Sequence, residues 1–582
     1  MKEELNSSTW SVKPESGTWT DTKNWQSAEV PSDKAIFSST SQTQLVFTQG
    51  IAAEIRTIEF NTNAPAYTIL FENTADDPDL TISGEGVVNN SPCIQSFMVA
   101  STGVSHDKPQ LKFSNTASAG GSNNFYSAGP TSLGLGYGGG IIGFTDKATA
   151  GSANFTVRTG AIPPPKENST VGGEVSFSDS STASTAQFTI FGTLGTDGDT
   201  FGNVVFHDNA TADRALFTNM GGTVSGGDGG NTQFYNNSNA AYGTYYNFGG
   251  VHEKANGGDV AFDGNATGGY GQFYNMAATA YGAYGGVTSF NNNPPDMESL
   301  GATAGNGTYH NLGAREDGDG GGGHTEFTAK HGSPTAGNGT FINYGSAIGD
   351  KSSAGHTIFS INLPSVYFPT ADNAIFWNHP GVGNGCAAGY TEFAVWSDND
   401  DDTIAANVPT AGNATFHNIG ATVSGAYGGY TSFADNTTAF KANLIAYGGS
   451  NGGYGGKVAF YDDSVGGASK IELTGNGELD VSYHNTGLTI SSLSLTEGVI
   501  KIEPSSDYNG ITVVDELVIN SETTSFYFEG DDIKANMNFA LLTASNMSDF
   551  SIDRFTGNNL NGMTPEFSIN GDTLFVQFQA NN

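Results

Sequence analysis

The chain has 582 residues, enough to bury a large core. It carries 21 Lys and Arg against 58 Asp and Glu, a net charge of −37, which argues against nucleic acid or an anionic membrane surface as partners. Gly is abundant at 81 residues without the every-third spacing of collagen, and 11% aromatic residues exclude a disordered Gly-rich linker.

Residues 1–43 open with Gly17-Thr-Trp19, then Asn24-Trp25, Pro31 and Ala35-Ile-Phe37. Two Trp ahead of the first strands suit an N-terminal cap, because the ends of a repeat stack need covering. This opening resembles the N-terminal stretch of secreted bacterial β-solenoids. Autotransporter-type passengers and proteins with autotransporter-associated β-strand repeats are examples. The resemblance implies a right-handed parallel β-helix on the cell surface. Met1-Lys-Glu-Glu-Leu is too polar for a signal peptide, so export would use a signal removed before this numbering or another route.

Residues 44–112 alternate apolar and polar side chains in Gln44-Leu-Val-Phe47, Thr57-Ile-Glu-Phe60, Thr68-Ile-Leu-Phe71 and Asp79-Leu-Thr-Ile82. Period two marks half-buried strands, here as irregular first rungs.

Residues 113–468 form a Gly-rich repeat. Phe206, Phe234, Phe262 and Phe290 each close a Gly-x-x-x-Phe segment and step by 28 residues, within the solenoid range. A second landmark, an aromatic followed two residues later by Asn, lies about 11 residues further on. Phe217/Asn219, Tyr245/Asn247 and Phe273/Asn275 are examples. The frame extends from Phe113 to Phe460. Its insertions, at 291–304, 328–336, 360–372 and 394–411, all enter after the first landmark, so they should leave from one edge. A chain that returns to the same place every turn stacks its strands in parallel, and the crossover rule makes the coil right-handed. The expected fold is therefore an all-β, right-handed parallel β-helix with rungs of about 28 residues.

Side chains alternate along a strand. The uniform aromatic/Asn face of the second strand is placed inside, where stacked Asn amides can bond along the ladder. The outward stripe is then Tyr246, Phe248, Tyr274, Met276, His310, Leu312, Ile342, Tyr344, Trp377, His379, His417 and Ile419. Apolar surface on this scale serves self-association, or a sugar-stacking platform, unless a loop or the C-terminal strands cover it.

Two motifs for catalysis are missing: no His-Glu-x-x-His and no P-loop occurs. His207-Asp208 and His252-Glu253 are sequence neighbours that face apart and read as turn residues. Asp398, Asp400, Asp401 and Asp402 lie in the largest insertion, as a charged loop or a calcium site, since hard cations take several carboxylate oxygens. Asp317-Gly-Asp319-Gly is a weaker calcium candidate. No other cofactor is expected. Cys93 and Cys386 read as separate buried thiols, and no apolar run is long enough for a membrane helix.

From Ser469 Gly falls and aliphatic residues rise, as in Lys470-Ile-Glu-Leu473, Leu488-Thr-Ile490 and Val499-Ile-Lys-Ile502. Residues 469–582 read as C-terminal rungs and a cap, ending in Phe567-Ser-Ile569 and Thr573-Leu-Phe-Val-Gln-Phe578, with no membrane barrel. The leading expectation is a non-catalytic extracellular structural solenoid. It would be the building block of a surface filament, sheath, layer or adhesin, with itself as partner. The alternative is a β-helix that binds or cleaves extracellular polysaccharide.

Overall fold

The computed structural model describes residues 6–47, 52–73, 79–101, 108–129, 138–158, 172–193, 201–291, 300–316, 318–329, 331–362, 366–396, 407–505, 509–530 and 533–580. They are strands and turns, with a few 3-10 turns of three residues such as Thr22–Asn24. The chain divides into two compact units: Met1–Tyr274 with Ala278–Thr288, and Asn275–Ala277 with Ser289–Asn582. Each is a regular parallel β-solenoid, consistent with a right-handed coil.

In the first unit, Asn203–Phe206, Asn231–Phe234 and Asp259–Phe262 pair in parallel with Phe206, Phe234 and Phe262 in one register. Leu216–Asn219 and Thr244–Asn247 form a second ladder with Asn219 opposite Asn247. A third side is one residue wide, Thr149, Thr182, Thr211, Asn239 and Thr267 bridging in turn. The sequence frame did not register this side, because one residue between turns shows none of the apolar and polar alternation that marks a strand.

Side-chain alternation sends the landmark aromatics inward, where the rungs stack them. Ring centroids are 4.7 Å apart for Phe206–Phe234 and 4.8 Å for Phe234–Phe262, with nearly parallel planes. The two aromatic columns meet edge to face, as at Phe206–Phe217, 5.9 Å and 74°. The offset suits the ring quadrupoles.

Inside the corners the Asn side chains form a ladder. In the first unit Asn219 Nδ2 donates to Asn247 Oδ1 at 2.8 Å, and Asn219 Oδ1 accepts from the Thr232 hydroxyl at 2.9 Å. In the second, Asn275, Asn311, Asn343, Asn378 and Asn418 are linked amide to amide, each at 2.8 Å. The register then puts Ala446 opposite Asn418, and Asn418 Nδ2 is buried without a hydrogen-bond partner among the described residues.

Turns between first strand and Thr bridge place Asp146, Asp179, Asp208 and Asn236 at φ of 54–58°. Asp and Asn tolerate this region because their side chains bond locally. Asp179 and Asp208 each accept the backbone N–H of the Asp one rung earlier, both at 3.0 Å. Glycine is needed where the return arm re-enters the sheet: a Cβ on Gly258 would lie 2.2 Å from the Asn219 carbonyl oxygen.

Trp19 and Trp25 are buried in the N-terminal cap as expected, and Trp10 joins them, with all three rings against Phe37. From Lys470–Asp480 onward the arm disappears, and one strand serves two sides of the coil with a register shift between. One expectation is corrected at the C-terminus. Met563–Asn570 and Thr573–Ala580 do not continue the parallel stack; they form an antiparallel hairpin that pairs antiparallel with Asn538–Ala544. Its two-residue turn is too short for a parallel connection. Cys386 is buried and Cys93 only half-buried, which corrects the second thiol; both are free.

Candidate functional site

The outward stripe is present, but its side chains lean on one another. In the first unit Tyr246 and Tyr274 stack at 4.9 Å, with Phe248 exposed beside them. In the second unit Tyr344 stacks on His379 at 5.3 Å, and Trp377 on His417 at 3.9 Å. His417 Nδ1 lies 2.9 Å from the Tyr447 hydroxyl. Met276, His310, Leu312, Ile342 and Ile419 are half-buried in the same rows. Burial holds the imidazoles of His310, His379 and His417 below their usual range, so they are neutral near pH 7.

Asp398, Asp400, Asp401 and Asp402 lie outside the described residues, as does Asp317. Asp319 accepts the backbone N–H groups of Arg315 and Glu316 at 2.9 and 3.0 Å, closing a turn. Among the described residues no group of three or more His, Cys, Asp or Glu is placed to hold a metal. Asp208 sits in a turn, as expected, and His207 stacks on Tyr235. The described ends of the insertions re-enter at Thr303, Thr335, Thr370 and Thr410, one bridge column of the second unit.

The second unit holds a feature the sequence frame passed over: a groove of about 970 Å³ along its first strands. In those strands Thr391, Phe393, Thr431, Phe433, Val458, Phe460 and Leu479 point inward. Alternation therefore turns their neighbours outward. Register aligns these as two columns. One runs Tyr390, Tyr430, Lys457, Glu478 and Val499; the other runs Glu392, Ser432, Ala459, Asp480, Lys501 and Tyr527. The Gly-rich return arms supply a wall carrying Tyr427 and Tyr454, stacked at 5.5 Å and 52% and 56% exposed. Gly428 lets two arms touch, since a Cβ there would lie 2.0 Å from the Gly455 carbonyl oxygen.

Charges in the groove are matched. Lys351 pairs with Glu392 at 2.5 Å and sits over the Tyr390 ring, 4.6 Å from its centroid. Lys501 reaches Glu529 at 3.0 Å and Asp480 at 3.7 Å; Lys457 reaches Asp480 at 3.8 Å. Asp480 is nearly fully buried and also accepts from the Ser482 N–H and hydroxyl, at 3.1 and 2.7 Å. The Glu478 carboxylate has no hydrogen-bond partner among the described residues, although the Glu478 backbone N–H donates to the Gly456 carbonyl at 2.9 Å. Burial raises its carboxyl above the usual range, the negative charges of Asp480 and Glu529 add to this, and Lys457 and Lys501 oppose it. Burial likewise keeps the phenols of Tyr390, Tyr430 and Tyr461 protonated well above the ordinary tyrosine range. Burial disfavours the Lys501 ammonium, but its bond to Glu529 and the neighbouring carboxylates outweigh that and raise its pKa.

These residues bear one readable sign in the sequence. Tyr390-Thr-Glu392, Tyr430-Thr-Ser432 and Glu478-Leu-Asp480 carry polar or aromatic side chains at the alternate positions of the landmark strands. Only stacking those strands in register brings them together. Comparison with known proteins assigns no family: no protein-family model matches the chain, and no curated protein matches it, so the solenoid rests on its own strand ladders.

Proposed function

We propose that this chain is a non-catalytic extracellular structural β-solenoid, the building block of a cell-surface filament, sheath, layer or adhesin. The observation that supports this reading is the outward aromatic stripe of each unit, half-buried yet facing out, as in Trp377–His417. Such rows suit lateral contact with another copy. The C-terminal hairpin pairs antiparallel with Asn538–Ala544 at the end of the parallel rungs, and the flank is the joining surface of this reading. Net charge of −37 opposes assembly, and salt or divalent cations would screen it.

The test is light scattering of the purified protein over a salt series, with and without calcium. Assembly promoted by salt and weakened by Trp377→Asp with Tyr274→Asp supports the proposal. A monomer under every condition overturns it. A second reading, a polysaccharide-binding β-helix, is favoured by the groove and its convergent ionisable groups.

A further inference from the structure

We infer that the groove of the second unit binds an uncharged, hydroxyl-rich polymer, a neutral glycan, lying along the solenoid axis. This deepens the polysaccharide-binding reading and rests on it.

Three properties of the groove choose this ligand. The first is charge. Each lysine is already paired with a carboxylate: Lys351 with Glu392, Lys457 with Asp480, and Lys501 with both Asp480 and Glu529. Among the described lining residues no cation is left over for an acidic polymer, and the chain as a whole is strongly negative. An anionic glycan would meet net repulsion.

The second property is hydrogen bonding. The groove offers ionised side chains and phenol O–H donors, held in place by their own pairs. Sugar hydroxyls both donate and accept, so they can add to such pairs without breaking them. A peptide would bring backbone N–H and C=O groups that need a strand edge. Here those edges are engaged, because Tyr430 and Lys457 pair with rungs on both sides. The Glu478 carboxylate lacks a hydrogen-bond partner among the described residues, and Glu478 lines the groove. It can accept from a ligand hydroxyl or, protonated, donate to one.

The third property is repetition. The same outward positions recur at Tyr430, Lys457, Glu478 and Val499, one rung apart, about 4.8 Å per rung. That interval is comparable with the length of one hexose unit in an extended chain. Successive sugars would therefore meet successive rungs. Tyr427 and Tyr454 on the wall, and Tyr527, 47% exposed, at the far end, supply apolar edges for the sugar rings.

The experiment is isothermal titration calorimetry of the full chain with cellohexaose, maltohexaose and dextran, and with polygalacturonate as the acidic comparison. At least one neutral glycan should bind, and polygalacturonate at least tenfold more weakly. Tyr427→Ala with Tyr454→Ala should weaken binding at least tenfold with no change in melting temperature, since both rings are exposed. Tyr281→Ala, at an 80% exposed ring of the first unit, is the control and should bind like the parent. No binding to any neutral glycan, equal or tighter binding of polygalacturonate, or a double variant that binds like the parent would overturn the inference. Light scattering on the same samples reports assembly separately, so failure of the structural reading is distinguishable from failure of this one.

Discussion

Replacing Asn343 by Ala tests whether the buried amide ladder holds the second unit together. Asn343 Oδ1 accepts from Asn311 Nδ2 at 2.8 Å and from the Thr357 hydroxyl at 3.0 Å. Its Nδ2 has two hydrogens, and these reach Asn378 Oδ1 at 2.8 Å and the Tyr390 carbonyl at 2.9 Å. Truncation strands the Thr357 O–H, leaves Asn311 Nδ2 with the His356 carbonyl at 2.9 Å and the Thr357 hydroxyl oxygen at 3.3 Å, and takes one donor from the Tyr390 carbonyl. Asn378 Oδ1 keeps the Thr391 hydroxyl at 3.1 Å. Four hydrogen bonds are lost at about 0.5–1.5 kcal/mol each, so the expected loss is about 2–6 kcal/mol, the upper end from the stranded hydroxyl. That upper end is exceptional for a single substitution.

Asn418 at the end of the ladder is the internal comparison. Its Nδ2 already lacks a partner among the described residues, and only its Oδ1 is used, by Asn378 at 2.8 Å and Thr431 at 2.9 Å. Asn418→Ala should therefore cost less than Asn343→Ala. Urea unfolding gives the stability. Hydrogen exchange on the peptides covering His356–Asn362 and Tyr390–Trp396 shows whether the loss is local to the neighbouring rungs, as repeat stacks require. A cost below about 1 kcal/mol, or equal costs at the two positions, refutes the ladder as a stabilising element.

Phe234→Ala removes a ring stacked on both sides, and unfolding should show a loss of about 3–5 kcal/mol. Phe234→Asp should unfold the rungs around it, seen as proteolysis there, because the carboxylate has no partner in the aromatic column. Burial, with help from His324 and Lys351, lowers the His356 imidazole to about 3. The unfolded chain takes up this proton below its ordinary value of about 6.5 and the folded chain only near 3, so stability falls as pH drops between those values. The loss is about 2 kcal/mol at pH 5, and His356→Gln should flatten the profile; an unchanged slope rules out this origin. Trp19→Ala opens a cap in which the ring meets Trp25 at 5.2 Å and Phe37 at 5.6 Å. Early hydrogen exchange at Lys34–Phe37 and Gln44–Phe47 should follow, and protection equal to the parent would show that the ring is dispensable.

The sequence by itself determined the parts of this protein that repeat. An inward Phe must recur at the same place on every turn, so Phe206, Phe234 and Phe262 announce the rung, and their spacing announces the coil. Asn219 and Asn247 were readable for the same reason, because a buried amide that bonds to another one rung away must recur with the rung. Even the Thr that joins them left a trace, at Thr232, Thr325, Thr357, Thr391 and Thr431, two residues before a landmark Phe. Tertiary structure alone decided which outward side chains meet in the groove. Outward positions of a strand face solvent and tolerate many side chains, so Tyr430, Lys457, Glu478 and Lys501 show no common type along the chain. Parallel register, and an arm of glycines folding over it, sets Lys501 3.7 Å from Asp480 and makes a groove of side chains that in sequence are unrelated.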